Sequence, residues 1–257
     1  MINDLNILAQ FCGVRDFDIF DKEKRLKAFD CDKADIMVLF GGSILCGGDI
    51  LAKAINENIA KKYIIVGGAG HTTNNLREQM ANLFKDLDTT NMQESELFRH
   101  YIKTLYSVDV DYIETKSTNC GNNITFLTNL IEKENLQCDN IILSQDASMQ
   151  KRMWAVLKKY KPNLNIINYC TYSVEFVNEN KIVTFDNLPK GMWSVEHYST
   201  LLMGEIPRLK DDENGYGPKG AGYISHVEIP NKVLQAFERI KTKNEKLIRT
   251  ANPKYKK

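Results

Sequence analysis

Asp35-Ile36-Met37-Val38-Leu39-Phe40-Gly41-Gly42 is the stretch from which the rest of the chain can be read. Its apolar residues run without polar alternation, as in a strand buried on both faces, and it ends on two glycines. The same pattern recurs further on. Tyr63-Ile64-Ile65-Val66 ends in Gly67-Gly68, Tyr112-Ile113-Glu114 precedes Ser117, and Asn140-Ile141-Ile142-Leu143 precedes Ser144. Asn165-Ile166-Ile167-Asn168-Tyr169 is the last such run. Helical periodicity fills the intervals, over 49–61, after Asn74, over 93–106, 122–134 and 148–160. Strands alternating with helices predict right-handed βαβ crossovers and a parallel sheet. The expected class is α/β, a three-layer α/β/α Rossmann-like fold with a mainly parallel sheet of about five strands.

This core is expected over 35–172. Before it, 1–34 reads as an N-terminal helical segment, with Leu5, Leu8, Ala9, Ile19 and Phe20 on apolar stripes. After it, 173–257 reads as a helical and loop extension that packs on the core and ends in a basic tail. Within the extension the pattern predicts a helix over 192–203 and a turn-rich loop over 204–222, serving either as a lid or as an Ω-type structural loop. Pro230 is expected to open a last helix.

The 257 residues carry 34 Lys+Arg against 33 Asp+Glu, with 43% hydrophobic and 26% charged residues. That composition excludes intrinsic disorder, collagen-like repetition and a small disulfide scaffold. A net charge of +1 argues against a nucleic-acid partner. No apolar run approaches the roughly 18 residues of a membrane span. The opening Met1-Ile2-Asn3-Asp4-Leu5 carries an acid where a signal peptide would be basic, so no membrane contact and a cytoplasmic location are expected. Six widely spaced cysteines without a C-x-x-C pair point to free thiols, and no metal site is predicted.

In open parallel sheets, ligands bind beyond the carboxyl ends of the strands. The turns expected there are rich in glycine or in short polar side chains, whereas those at the opposite ends are ordinary surface loops. A small-molecule ligand is therefore expected on Gly42, Ser43, Gly68, Gly70, Thr72, Ser117, Asn119, Asn123 and Gln145. Arg152 would either neutralise an anionic group or hold Asp146. His71, Asp146 and Glu94 are the acid/base candidates. Competing accounts stand beside these: Ser, Thr and Asn in such turns are often only helix caps, and an acid such as Glu94 at a helix start is favourable through the dipole alone. Cys120 at a helix start reads as a packed thiol more readily than as a nucleophile. Two motifs fail. Gly68-x-Gly70 continues with Thr73 where a dinucleotide fingerprint needs glycine, and 210–221 begins with Lys210 where a calcium loop needs an acid.

Several blocks resemble the YdcF-like proteins, bacterial members of the wider superfamily that includes SanA and ElyC. They are Gly67-Gly68-x-Gly70-His71-x-Thr73, Ser117-Thr118-Asn119-Cys120-Gly121-x-Asn123, Gln145-Asp146-x-x-Met149-Gln150-x-Arg152, and the stretch from Gly204-Glu205-x-Pro207-Arg208 through Gly220 to His226-Val227 and Pro230. The resemblance spans about 35–230. It implies a Rossmann-like fold, a pocket made by these turns and, through the YdcF-like branch, S-adenosylmethionine as cofactor. Two positions depart from the family pattern. Asn122 stands where relatives tend to carry an acid, which speaks against a general base there, and His197 stands where they tend to carry arginine.

The expected function is binding of a nucleotide-like or adenosyl metabolite at the carboxyl edge of the sheet, with transfer or hydrolysis at an anionic centre if the protein is an enzyme. The alternative is a non-catalytic regulatory or scaffold module with a vestigial pocket.

Overall fold

A computed structural model describes residues 1–30, 32–70 and 72–243. Its centre is β1 (Ala34–Phe40), buried along its whole length. In chain order α1 (Ile2–Cys12) and α2 (Lys22–Phe29) precede it, and α3 (Cys46–Asn56), β2 (Ala60–Val66), α4 (Thr73–Leu83), α5 (Glu94–Tyr106) and β3 (Tyr112–Glu114) follow. Next come α6 (Cys120–Lys133), β4 (Asn140–Ser144), α7 (Gln150–Tyr160) and β5 (Asn165–Asn168). The chain continues with β6 (Phe176–Glu179), β7 (Ile182–Phe185), α8 (Val195–Leu209) and α9 (Asn231–Lys243).

The five-stranded sheet has the order β3-β2-β1-β4-β5, and every pair in it is parallel. This is the expected α/β/α Rossmann-like architecture. Apolar clusters cover both faces of the sheet. One contains Met37, Leu39 and Ile65 with α3 and α5, and the other Ile36, Val38 and Phe40 with α6 and α7. Such two-sided burial is why the strand runs show no polar alternation. Registers such as Leu39↔Ile65 and Leu39↔Ser144 bring the carboxyl ends of β1, β2 and β4 level. Because β1 feeds β2 on one side and β4 lies on the other, the strand order reverses between β1 and β4, the place where such sheets open a crevice.

The terminal additions differ from expectation in three ways. Ile19 and Phe20 lie between α1 and α2, not in a continuous helix, and Arg15 makes an antiparallel bridge to Tyr169 beyond β5. The helix expected to end at Met203 runs to Leu209 through Pro207, so Gly204 and Glu205 are helical. The unforeseen β6–β7 hairpin turns on Asn180 and Lys181, both at positive φ, a geometry that asparagine tolerates well. Its Phe176 stacks on Tyr198 of α8 at 5.6 Å between ring centroids.

The two termini also share one cluster, since Leu5 and Leu8 of α1 pack with Tyr198 and Leu202 of α8 and with Phe237 of α9. Asn6 exchanges two hydrogen bonds with the backbone of Phe176, and Arg239 pairs with Asp4 at 2.6 Å. The tail beyond Lys243, like Cys31 and His71, lies outside the described residues. The other five cysteines are free thiols. Among the described residues no helix is long and apolar enough to cross a membrane.

The fit of α3 against α5 makes a direct test. A Cβ on Gly48 would lie 2.6 Å from the ring of Tyr101, whose hydroxyl is tied to Asp49 at 2.7 Å. Gly48→Ala is expected to lose about 1–2 kcal/mol, because overpacking outweighs the gain in helix propensity. An unchanged urea midpoint would mean that the ring moves aside freely.

Candidate functional site

The carboxyl edge of the sheet holds a cavity of about 260 Å³. Gly42 and Ser43 come to it from the loop after β1, Gly68, Gly70 and Thr72 from the loop after β2, and Glu94 from the start of α5. Ser117, Asn119 and Asn123 line it from the β3–α6 connection, and Gln145, Asp146 and Arg152 from the β4–α7 connection. The sequence candidates thus share one hollow, apart from His71, which lies outside the described residues. A larger hollow of about 490 Å³ lies at the opposite strand ends, between Leu136, Cys138, Asp139 and Pro162, away from the glycine turns.

Glycine makes the convergence possible. A Cβ on Gly68 would fall 2.2 Å from the carbonyl oxygen of Ser117, so only glycine lets the two loops touch. A Cβ on Gly41 would meet a carboxylate oxygen of Glu94 at 2.4 Å and Gly67 Cα at 3.2 Å. Glu94 is seated over that seam. Its own N–H donates to Gly68 O, and the N–H of Ser95 donates to Gly67 O.

Glu94 is only 8% exposed. Its carboxylate accepts a 2.7 Å hydrogen bond from the Thr73 hydroxyl, which itself accepts from Gly70 N–H. Burial raises its pKa from 4.5 to about 7, while Thr73, Arg77 and Thr72 pull weakly the other way. A carboxyl poised near neutrality on a cavity wall can both take up and release a proton.

Asp146 has a different character. One oxygen accepts from Ser148 N–H, the Ser148 hydroxyl and the Tyr172 hydroxyl, and the other accepts from Trp193 Nε1–H at 3.1 Å. These bonds make it an organising group that pins α8's approach to the β4 loop. Gln145 spans the crevice between the β1 and β4 loops, donating to Gly41 O and accepting from Asp146 N–H. Asn119 caps α6, accepting from Asn122 N–H, so the capping account holds there while the residue also faces the cavity. The carboxamide of Asn123, also on the cavity wall, makes no hydrogen bond within the described residues. The Ser43 hydroxyl is buried without a partner among the described residues.

Arg152 corrects the sequence expectation. It does not touch Asp146. Its guanidinium forms a two-pronged pair with Glu205 of α8, at 2.6 and 2.9 Å. Cys120 is half-buried and lines the cavity at the start of α6, and burial pushes its thiol pKa up despite the nearby Arg152. The fourth wall, which sequence reasoning missed, is Trp193, Leu201, Glu205, Arg208 and Tyr216. Its one legible signal is the Glu205-x-x-Arg208 spacing, which puts both side chains on one helical face. The loop after α8 is packed on itself while its Tyr216 lines the cavity. Its Gly215 and Gly220 pack directly on the carbonyls of Lys210 and Asp212, and Asp211 ties down Lys219 N–H and His226. No family model matches the chain.

The Glu94 environment has a pH signature. Between its unfolded pKa of 4.5 and its folded pKa of about 7, the native state holds more protons than the unfolded chain. Stability from this group therefore falls as pH rises through that window and levels off above it. Glu94→Gln removes the dependence. The urea-derived stability of the variant is expected to gain on the native chain by on the order of 3 kcal/mol between about pH 4 and pH 8. A gap that stays constant with pH would refute the neutral, buried carboxyl.

Proposed function

We propose that this chain binds a nucleotide-like or adenosyl metabolite in the glycine-lined cavity and uses Glu94 to move a proton on it, in a transfer or hydrolysis reaction. One observation carries the proposal: a buried carboxyl of near-neutral pKa stands where the β1 and β2 loops meet, beside the strand-order reversal. The surrounding groups suit such a ligand. Gly42 keeps an N–H without a partner among the described residues, the Asn123 amide, likewise unpaired among them, offers a donor and an acceptor, and Trp193 offers an aromatic face. The resemblance to YdcF-like proteins supports the same class of ligand, with S-adenosylmethionine as its first candidate. Asp146, Gln145 and Asn119 hold the loops in place. Glu94 acts on the substrate.

A thermal-shift panel of S-adenosylmethionine, adenosine nucleotides and sugar phosphates tests binding. A ligand at a hundred times its Kd adds about 2.7 kcal/mol to stability and so raises Tm clearly. For any substrate found, Glu94→Gln is expected to lower turnover about 10²- to 10⁴-fold and to remove the limb of the pH profile near neutrality. A flat panel together with a co-purifying protein would replace this proposal with the scaffold alternative.

A further inference from the structure

The wall formed by α7 and α8 has a charge imbalance. Arg152 and Arg208 have side chains only 14% and 16% exposed, and both lean on Glu205, which is 5% exposed. Glu205 gives its two oxygens to Arg152 and lies 3.5 Å from Arg208 Nη1, which also donates to Gly204 O. Two guanidinium charges against one carboxylate leave the cluster at +1. The Nε and Nη2 groups of Arg208 have no partner among the described residues. A nearly buried charge left without a counter-ion is costly, so such a cluster suits a site whose counter-charge arrives with a ligand.

The neighbours point the same way. Cys120, the first residue of α6, feels Arg152, Glu205 and Arg208, so the positive end of that helix abuts the cluster. Asn123, one turn on, presents its unbonded amide to the same cavity. Across the cavity the Ser43 hydroxyl, 1% exposed, is likewise without a partner. The remaining carboxylates on the walls are engaged elsewhere, Asp146 in its four hydrogen bonds and Glu94 with Thr73.

We propose that Arg208, the first turn of α6 and Asn123 form a phosphate subsite, so that the ligand is a phosphate monoester and not a neutral nucleoside. This rests on the metabolite-binding reading and narrows it, setting nucleotides ahead of S-adenosylmethionine, which carries no phosphate. The cluster's single surplus charge, with roughly half a charge from the helix end, matches the charge of about −1.5 to −2 on a phosphate monoester better than the −1 of a carboxylate. A guanidinium with free Nε and Nη2 presents the fork that phosphate oxygens accept. Arg152 is a positioning residue here, since it holds Glu205 and thereby sets the place of Arg208.

Calorimetry with adenosine, AMP and ribose 5-phosphate on the native chain and on Arg208→Gln separates the two levels of the proposal. AMP is expected to bind roughly tenfold or more tighter than adenosine, and Arg208→Gln to erase that difference by weakening AMP. Arg208→Lys, which keeps the charge and loses the fork, is expected to fall between them and guards against a misfolded Gln variant. Equal binding of AMP and adenosine to the native chain would overturn the phosphate subsite and leave the nucleoside pocket standing. Ribose 5-phosphate binding that depends on Arg208, without any adenosine binding, would support the subsite and overturn the adenosyl reading. Absence of binding by all three at millimolar concentration would overturn both.

Discussion

Gly41 and Gly67 approach so closely that an added Cβ on either would lie 3.0–3.2 Å from the other's Cα. Two backbone loops can come this near only where neither carries a side chain, and the rest of the site follows from that contact. It lets the first turn of α5 lie across the seam, with Ser95 and Glu94 bonded to the carbonyls of Gly67 and Gly68. The carboxyl of Glu94 is thereby taken out of water, and Arg77, the cation nearby, offsets that burial only in part. Its near-neutral pKa comes from the sheet geometry and needs no partner chosen for the purpose.

The other acids of the cavity show how differently one residue type can be used. Asp146 is as buried as Glu94, yet its oxygens are filled by hydroxyl, indole and backbone donors, so it ties α8 and the β4 loop together. Glu205 is buried deeper and bridges two arginines. Burial alone therefore does not make a proton-transfer group. What distinguishes Glu94 is that hydroxyl bonds and a weak pull from Arg77 stand against nearly complete desolvation, which outweighs them.

The sheet was legible because two-sided burial writes itself as unbroken apolar runs, and Ile36–Phe40 and Tyr63–Val66 say so without any tertiary information. The glycine turns were legible too, since glycines recurring at successive strand ends mark places where backbone must come close to backbone or to a ligand. Arg152 was placed at the right edge, but its pairing with Glu205 was not legible, because Glu205 is more than fifty residues away and only the docking of α8 brings it near. Pro207 hid the last turn of α8, as a proline late in a helix reads as a stop although the turns before it hold. The hairpin escaped notice because its short strands lie after the regular βαβ pattern ends. The polar stretch Asn178-Glu179-Asn180-Lys181 between two apolar pairs was its local signal.

The packing of α1 against α8 and α9 has a consequence for biosynthesis. α1 leaves the ribosome before either of them, so much of its apolar face stays open until Phe176, Tyr198 and Phe237 have been made. The amide bridge of Asn6 spans 170 positions and the Asp4–Arg239 pair spans 235. Contacts of such separation carry a large loop-closure cost and form late. The parallel sheet can assemble while translation continues, whereas the wall that bears Arg208 belongs to α8, made after every strand of that sheet, so a nascent chain passes through a stage with a finished floor and an open side.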